Sequence, residues 1–335
     1  MKAASLIASV LGGIVSTLVM PASAQETKTF DSAGVAIRYV DQGSGAPVVL
    51  LHGQGNTLET WIEGGVVQKL TTDYRVIAFD ARGHGKSGKP HVVTAYGREM
   101  ALDALRLMDH LTIPRAHFVG YSQGAHLVQW LLVNHPQRFL TATLGAAVGR
   151  IDYTAAQIAS DEQEASEREK ECVSRSQIIR LAPTNASPPD EATIKKASEA
   201  CLANKDQDRF AMAAVVRGKK EQAVSAAAVG SVKAPTLGVV GSLDGYVKDF
   251  EVLRKLRPDF KVVVVEGATP RWGQGRIAAT GVCRRPTIVP EGELTAARDL
   301  AGIPARRGGT AESPRPLVAG CVSSSDGEAG IAPNG

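Results

Sequence analysis

The pentapeptide Gly120-Tyr121-Ser122-Gln123-Gly124 constrains this chain more than any other feature. An apolar run, Ala116 to Tyr121, precedes the serine and reads as a strand. Gln123 to Asn134 follows and reads as a helix. A serine flanked by glycines at a strand-to-helix junction marks a tight, strained turn. Small residues two positions either side let strand and helix approach closely, and the turn lifts the hydroxyl into a cleft at the carboxyl end of a sheet. A lone Gly-x-Ser-x-Gly recurs by chance. Its weight here comes from its place at that junction.

The surrounding text has the rhythm of a doubly wound, mostly parallel α/β sheet. Val35 to Val40, Pro47 to Leu51, Tyr74 to Phe79, Ala116 to Tyr121 and Phe139 to Ala147 read as strands. Several are wholly apolar, as strands covered on both faces must be. Glu99 to Leu111 has helical apolar spacing. Near Arg150 the character changes. Residues 151–231 are rich in Ala, Glu, Lys and Gln, with Pro-rich interruptions, and read as a helical cap inserted into the sheet domain. Strand rhythm returns at Pro235 to Val240 and Phe260 to Val265. The expected sheet domain is therefore residues 25–150 and 232–266.

Both ends differ from this body. Lys2, the apolar run Leu6 to Met20 and Pro21-Ala22-Ser23-Ala24 have the order of a secretory signal peptide over residues 1–24. That implies a periplasmic or secreted mature protein, with no stable membrane insertion after cleavage. From Gly267 to Gly335, Gly, Pro and Arg dominate and Lys is absent. Two readings account for residues 267–335: a disordered tail, or a reading-frame shift near codons 268 to 272, since GC-rich DNA read out of frame yields such text. A net charge of +4, with 21% charged and 44% hydrophobic residues, is too weakly basic to imply nucleic acid. Oxidising surroundings permit disulfides. Of Cys172, Cys201, Cys283 and Cys321, the pair for a disulfide is Cys172 with Cys201, both in one helical stretch. The cysteine spacing fits no zinc site.

Two further blocks carry a resemblance. Leu50-Leu51-His52-Gly53-Gln54-Gly55 follows the strand before the first long helix, and Asp80-Ala81-Arg82-Gly83-His84-Gly85-Lys86-Ser87 follows the next. With the Ser122 pentapeptide, they make residues 28–268 similar to the α/β-hydrolase superfamily, in its branch of esterases, lactonases, C–C hydrolases and cofactor-free haloperoxidase-like enzymes. The resemblance implies Ser122 as nucleophile and the backbone N–H groups of Gln54 and Gln123 as the oxyanion hole. It implies structural roles for His52, Asp80, Arg82 and His84. It places the triad acid at Asp244, after the strand and Gly241, with Asp152 as the alternative. It implies no cofactor and no metal, and a small ester or lactone as substrate. The alanine-rich cap suggests an apolar acyl group.

The same resemblance expects a histidine shortly after Glu266-Gly267-Ala268-Thr269, where the chain has Pro270. The seven histidines are 52, 84, 91, 110, 117, 126 and 135, so no catalytic His stands at the expected position. His126, one turn after Ser122, is expected to face the core. Two functions follow: hydrolysis of an ester or lactone through an acyl-enzyme on Ser122, or non-catalytic binding of a small molecule on the same scaffold. The sequence does not give an oligomeric state.

Overall fold

The computed structural model describes residues 26–269 and the backbone of Thr287–Ile288. The expected leader and the anomalous tail beyond Thr269 otherwise lie outside the described residues. In chain order the strands are β1 (Lys28–Ser32), β2 (Val35–Gln42), β3 (Ala46–Leu51), β4 (Tyr74–Phe79), β5 (Ala116–Tyr121), β6 (Phe139–Gly145), β7 (Arg150–Ile151), β8 (Ala223–Val224), β9 (Thr236–Gly241), β10 (Lys261–Val265) and β11 (Thr287–Ile288). The main sheet runs β1-β2-β4-β3-β5-β6-β9-β10, with β11 antiparallel on the β10 edge. From β4 to β10 every neighbouring pair is parallel, and β2 runs antiparallel to both of its neighbours, β1 and β4.

Alternate residues of each strand feed two cores. On one face Val40, Val48, Leu50, Val76 and Ala78 pack against Leu58 and Trp61 around α1 (Glu59–Glu63), and against Val67 and Leu70 of α2 (Val66–Leu70). On the other, Val49, Leu51, Ile77, Phe79 and Phe118 meet Met100, Ala104 and Leu107 of α3 (Arg98–His110) and Leu127, Val128 and Leu131 of α4 (Gln123–Asn134). Helices on both faces explain why the central strands are continuous apolar runs.

The winding reverses beside β3. The chain leaves β3 towards β4, crosses back over β3 to β5, and then continues away through β6. The carboxyl ends of β3 and β5 thus flank a topological switch point, where an open α/β sheet has its crevice. The loops after these two strands carry the His52-Gly53-Gln54 and Ser122 motifs.

Between β6 and β9 the chain forms α5 (Ala155–Glu171), α6 (Arg175–Arg180), α7 (Glu191–Ala203), α8 (Arg209–Gly218) and α9 (Ala226–Ser231). α5 starts at a capping box in which Thr154 Oγ1 accepts from Gln157 N and the Gln157 side chain accepts from Thr154 N. α5 packs along α8 through Ala165, Ala213 and Val216. β7 and β8 pair at the base of this segment, and α9 packs on α4 and on α10 (Val247–Leu256) of the sheet domain. Cys172 and Cys201 form a disulfide. They sit at different helices rather than in one: Cys172 caps α5 and Cys201 lies in α7. Among the described residues no helix is long and apolar enough to cross a membrane.

Candidate active site

Ser122 adopts φ 51° and ψ −111°, a left-handed region that a side chain enters only at a cost. The surroundings hold it there. Ser122 N donates to Gly145 O of the neighbouring strand at 2.8 Å, and Ser122 O accepts from Ala125 N and His126 N. A Cβ on Gly120 would overlap the Gly124 backbone, and one on Gly124 would overlap the carbonyl oxygens of Leu51 and His52. The two glycines are thus required because strand, helix and the loop after β3 converge on this turn.

That convergence brings the second motif to the serine. A Cβ built on Gly53 would lie 3.4 Å from Ser122 Cβ. Gln54, Ser122 and Gln123 line one cavity. The Gln123 N–H is the first amide of α4 and has no intrahelical acceptor. The Gln54 side chain is tethered away from the serine, donating through Nε2 to Glu164 Oε1 at 3.1 Å.

The Asp80 block is scaffolding. Asp80, fully buried, accepts from Leu58 N and Lys86 N and pairs with Arg38. Arg82 forms a forked pair with buried Asp103, at 2.7 and 2.5 Å. His52 Nδ1 is 2.8 Å from Gly53 O and its Nε2 accepts from Ala81 N at 3.0 Å, which fixes the proton on Nδ1. Burial holds the His52 imidazole below the usual histidine range, and burial together with His52 pushes His84 down to about 3. Both rings are neutral at pH 7 and meet edge-on with centroids 5.1 Å apart. His52, Asp80 and His84 tie the turn after β4 to the loop after β3, and Arg82 ties it to α3.

Asp244 follows β9, is 1% exposed, and accepts from Tyr246 N at 2.9 Å. Burial raises its carboxyl above the usual range, with nearby Asp249 adding to the shift. Asp152 is exposed and turned elsewhere, accepting from Ala226 N at the start of α9. The loop after β10 is clamped beside Asp244: Leu243 N donates to Ala268 O at 3.0 Å, and Ala268 O also fills the place of a Cβ on Gly241. The described chain reaches Thr269 here, and Pro270 lies outside it.

No hydrogen bond among the described residues joins a histidine to the Ser122 hydroxyl. His91 pairs with Asp208, His110 meets the Tyr39 hydroxyl, and His117 meets Thr141 Oγ1. His126 departs from expectation. It lines the cavity with Ser122 rather than facing the core, because residues i and i+4 share a helix face. Burial lowers its basicity well below the usual range, and Arg150, Lys219 and Arg180 depress it further. Its buried Nδ1 has no partner.

The cavity has a volume of ≈ 340 Å³ and a mixed wall, with Ala147, Val148, Ile151, Leu181 and Val252 among its apolar residues. Arg150, Asp161, Arg180 and Lys219 line it beside Tyr153 and Gln177. Ala165 of α5 packs on Ala213 and Val216 of α8, while Asp161 of α5 and Arg180 of α6 line the cavity. Lys219 Nζ bridges Asp161 and Glu164 at 3.0 and 2.9 Å, and Glu164 also receives Arg180 and Arg168. Among the described residues no group of three His, Cys, Asp or Glu is placed to hold a metal.

A family model described as alpha/beta hydrolase fold matches residues 46–269. The chain belongs to the α/β-hydrolase family. It is 33% identical over 127 residues to 3-oxoadipate enol-lactonase 2 of Acinetobacter baylyi, a match covering 36% of this chain and 46% of that one. It is 34% identical over 121 residues to fluoroacetate dehalogenase of a Burkholderia species, covering 35% and 39%. The chain thus spans less than half the length of these curated relatives. A hydrolase from Pseudomonas aeruginosa superposes with a TM-score of 0.58 at 23% identity, over 74% of this chain and 93% of that one, and shows the shared fold.

In this α/β-hydrolase the serine turn and the loop after β3 were legible as motifs. The charged wall was not. Arg150, Arg180 and Lys219 come from three separate elements, and no spacing links them in the sequence.

Proposed function

We propose that this α/β-hydrolase cleaves a small ester or lactone through an acyl-enzyme on Ser122. The observation that carries the reading is the Ser122 turn: a strained serine lining a cavity, against the loop bearing Gln54 and at the first-turn amide of Gln123. The hydroxyl attacks the carbonyl, and the N–H groups of Gln54 and Gln123 receive the oxyanion. Each such donor is worth about 3 kcal/mol of transition-state stabilisation. Asp244 orients the base that removes the serine proton and stabilises the charge the base then carries. The helices between β6 and β9 act as a cap that selects the substrate. The leader places the mature chain in the periplasm or outside the cell.

Family logic puts the base at the position held by Pro270. Loss of a triad imidazole costs about 10⁶ in turnover in a serine protease. This favours a second reading, a binding protein on the hydrolase scaffold. Hydrolysis of p-nitrophenyl acetate by the purified chain separates the two. Turnover abolished by Ser122→Ala, by about 10³-fold or more, supports the hydrolase; a rate equal to that of the variant supports the binder. The nucleotide sequence around codon 270 tests the frame shift: a Gly-Ala-Thr-His continuation in another frame restores the base, and its absence from every frame removes that explanation.

A further inference from the structure

The cavity wall has more positive than negative charge. Arg150, Arg180 and Lys219 line it, with Arg168 immediately behind. Asp161 and Glu164 are the carboxylates that answer them, and both are already engaged: Asp161 by Lys219 and the Tyr153 hydroxyl, Glu164 by Lys219, Arg180 and Arg168. The remaining acid on the wall, Asp249, lies near Asp244, and burial raises the carboxyls of both above the usual range.

Arg150 is left without a carboxylate among the described residues. Its Nε donates to Gln222 Oε1 at 3.2 Å, Nη1 is 3.5 Å from the Tyr153 hydroxyl, and the guanidinium lies 5.3 Å from the centre of the Tyr153 ring. These contacts fix the fork in place without neutralising it. The resulting potential is felt across the cavity at His126, whose protonation Arg150, Lys219 and Arg180 all oppose. A fixed, unneutralised guanidinium in a small, partly desolvated cavity matches a planar carboxylate, which it binds by two parallel N–H···O bonds.

We propose that the substrate carries a carboxylate in addition to the bond that is cleaved, and that Arg150 is the residue that recognises it. Placing the scissile bond at Ser122 rests on the hydrolase reading. The carboxylate site does not, because it concerns binding alone.

The test uses the full chain carrying Ser122→Ala, so that nothing turns over, and calorimetric titration with monomethyl glutarate and with dimethyl glutarate. The two differ by one carboxylate against one ester. The monoester is expected to bind at least about tenfold more tightly, with a preference that shrinks as salt is added. Adding Arg150→Gln, with its fold checked by circular dichroism, is expected to bring the two ligands within about threefold of each other. Equal affinity for the two esters overturns the proposal without needing the second variant. So does a preference that survives in folded Arg150→Gln, or no heat from either ligand up to about 10 mM. Turnover of p-nitrophenyl acetate by the unmodified chain is scored separately. A chain that binds the monoester selectively but hydrolyses nothing keeps the carboxylate site and loses the hydrolase reading; the opposite pattern does the reverse.

Discussion

Gly124 and Gly55 show how differently two glycines of one site behave. At Gly124 the obstacle is space: any Cβ meets the backbone of Leu51 and His52. At Gly55 the obstacle is conformation: φ is +75°, but nothing lies within 4 Å of a Cβ. Gly124→Ala must therefore push the loop after β3 away from α4. It is expected to cost about 3 kcal/mol and to lower any Ser122-dependent turnover, because the loop proposed to hold the oxyanion moves with it. Gly55→Ala is expected to cost only about 1 kcal/mol, the ordinary left-handed penalty. Urea denaturation of the two variants side by side checks the difference; equal losses would show that packing at Gly124 is not what holds the turn.

At the scale of elements, α8 and α9 place Ala211, Met212, Val215 and Val229 in the main core, and the stretch from α5 to α7 is the part least supported by the sheet. Its own apolar contacts are a small cluster between α5 and α8 and a disulfide that joins the end of α5 to α7. Cys172 and Cys201 are 29 residues apart in sequence, with Cα atoms 5.9 Å apart. A cross-link closing a loop of that length removes chain entropy worth about 3 to 4 kcal/mol from the unfolded segment. Reduction, or Cys201→Ser, is expected to loosen α5 to α7 by up to that amount while leaving the sheet protected. Amide hydrogen exchange with and without reductant reads this directly: faster exchange confined to residues 155–203 is the expected pattern, and unchanged exchange there would mean the bond is dispensable.

Across the whole molecule, Glu164 joins the insertion to the loop after β3, pairing with Lys219, Arg180 and Arg168 and accepting from Gln54. Its burial pushes the carboxyl up, but the three cations outweigh burial and hold it at about 2, against an ordinary 4.5. A depressed folded-state value means that the contribution to stability is complete above pH 4.5 and is lost as pH falls towards 2. The size implied is about 3 kcal/mol. Lys219 is held below the usual lysine range by the same burial, so removing its carboxylate leaves a costly unpaired cation. Glu164→Gln is therefore expected to lower stability by about 3 kcal/mol at pH 7, with the gap closing between pH 4.5 and 2. Thermal melts of both chains across that range test it, and a gap independent of pH would locate the effect in packing rather than charge.

The sequence by itself determined the parallel sheet, the serine turn and the loop that faces it. β4, β5 and α4 end where Tyr74–Phe79, Ala116–Tyr121 and Gln123–Asn134 end in the text, because a strand covered on both faces must be apolar throughout and glycines mark the junctions. Polar β1 escaped that reading: Lys28–Ser32 is an edge strand whose partner supplies the order. What only the tertiary structure decided is the chemistry of the cavity. His126 was turned into it by helix register, and Arg150, Arg180 and Lys219 were gathered from distant segments around two buried carboxylates. The physical reason is range. Apolar periodicity is set by neighbours along the chain, whereas a charged wall is set by which elements the sheet places side by side.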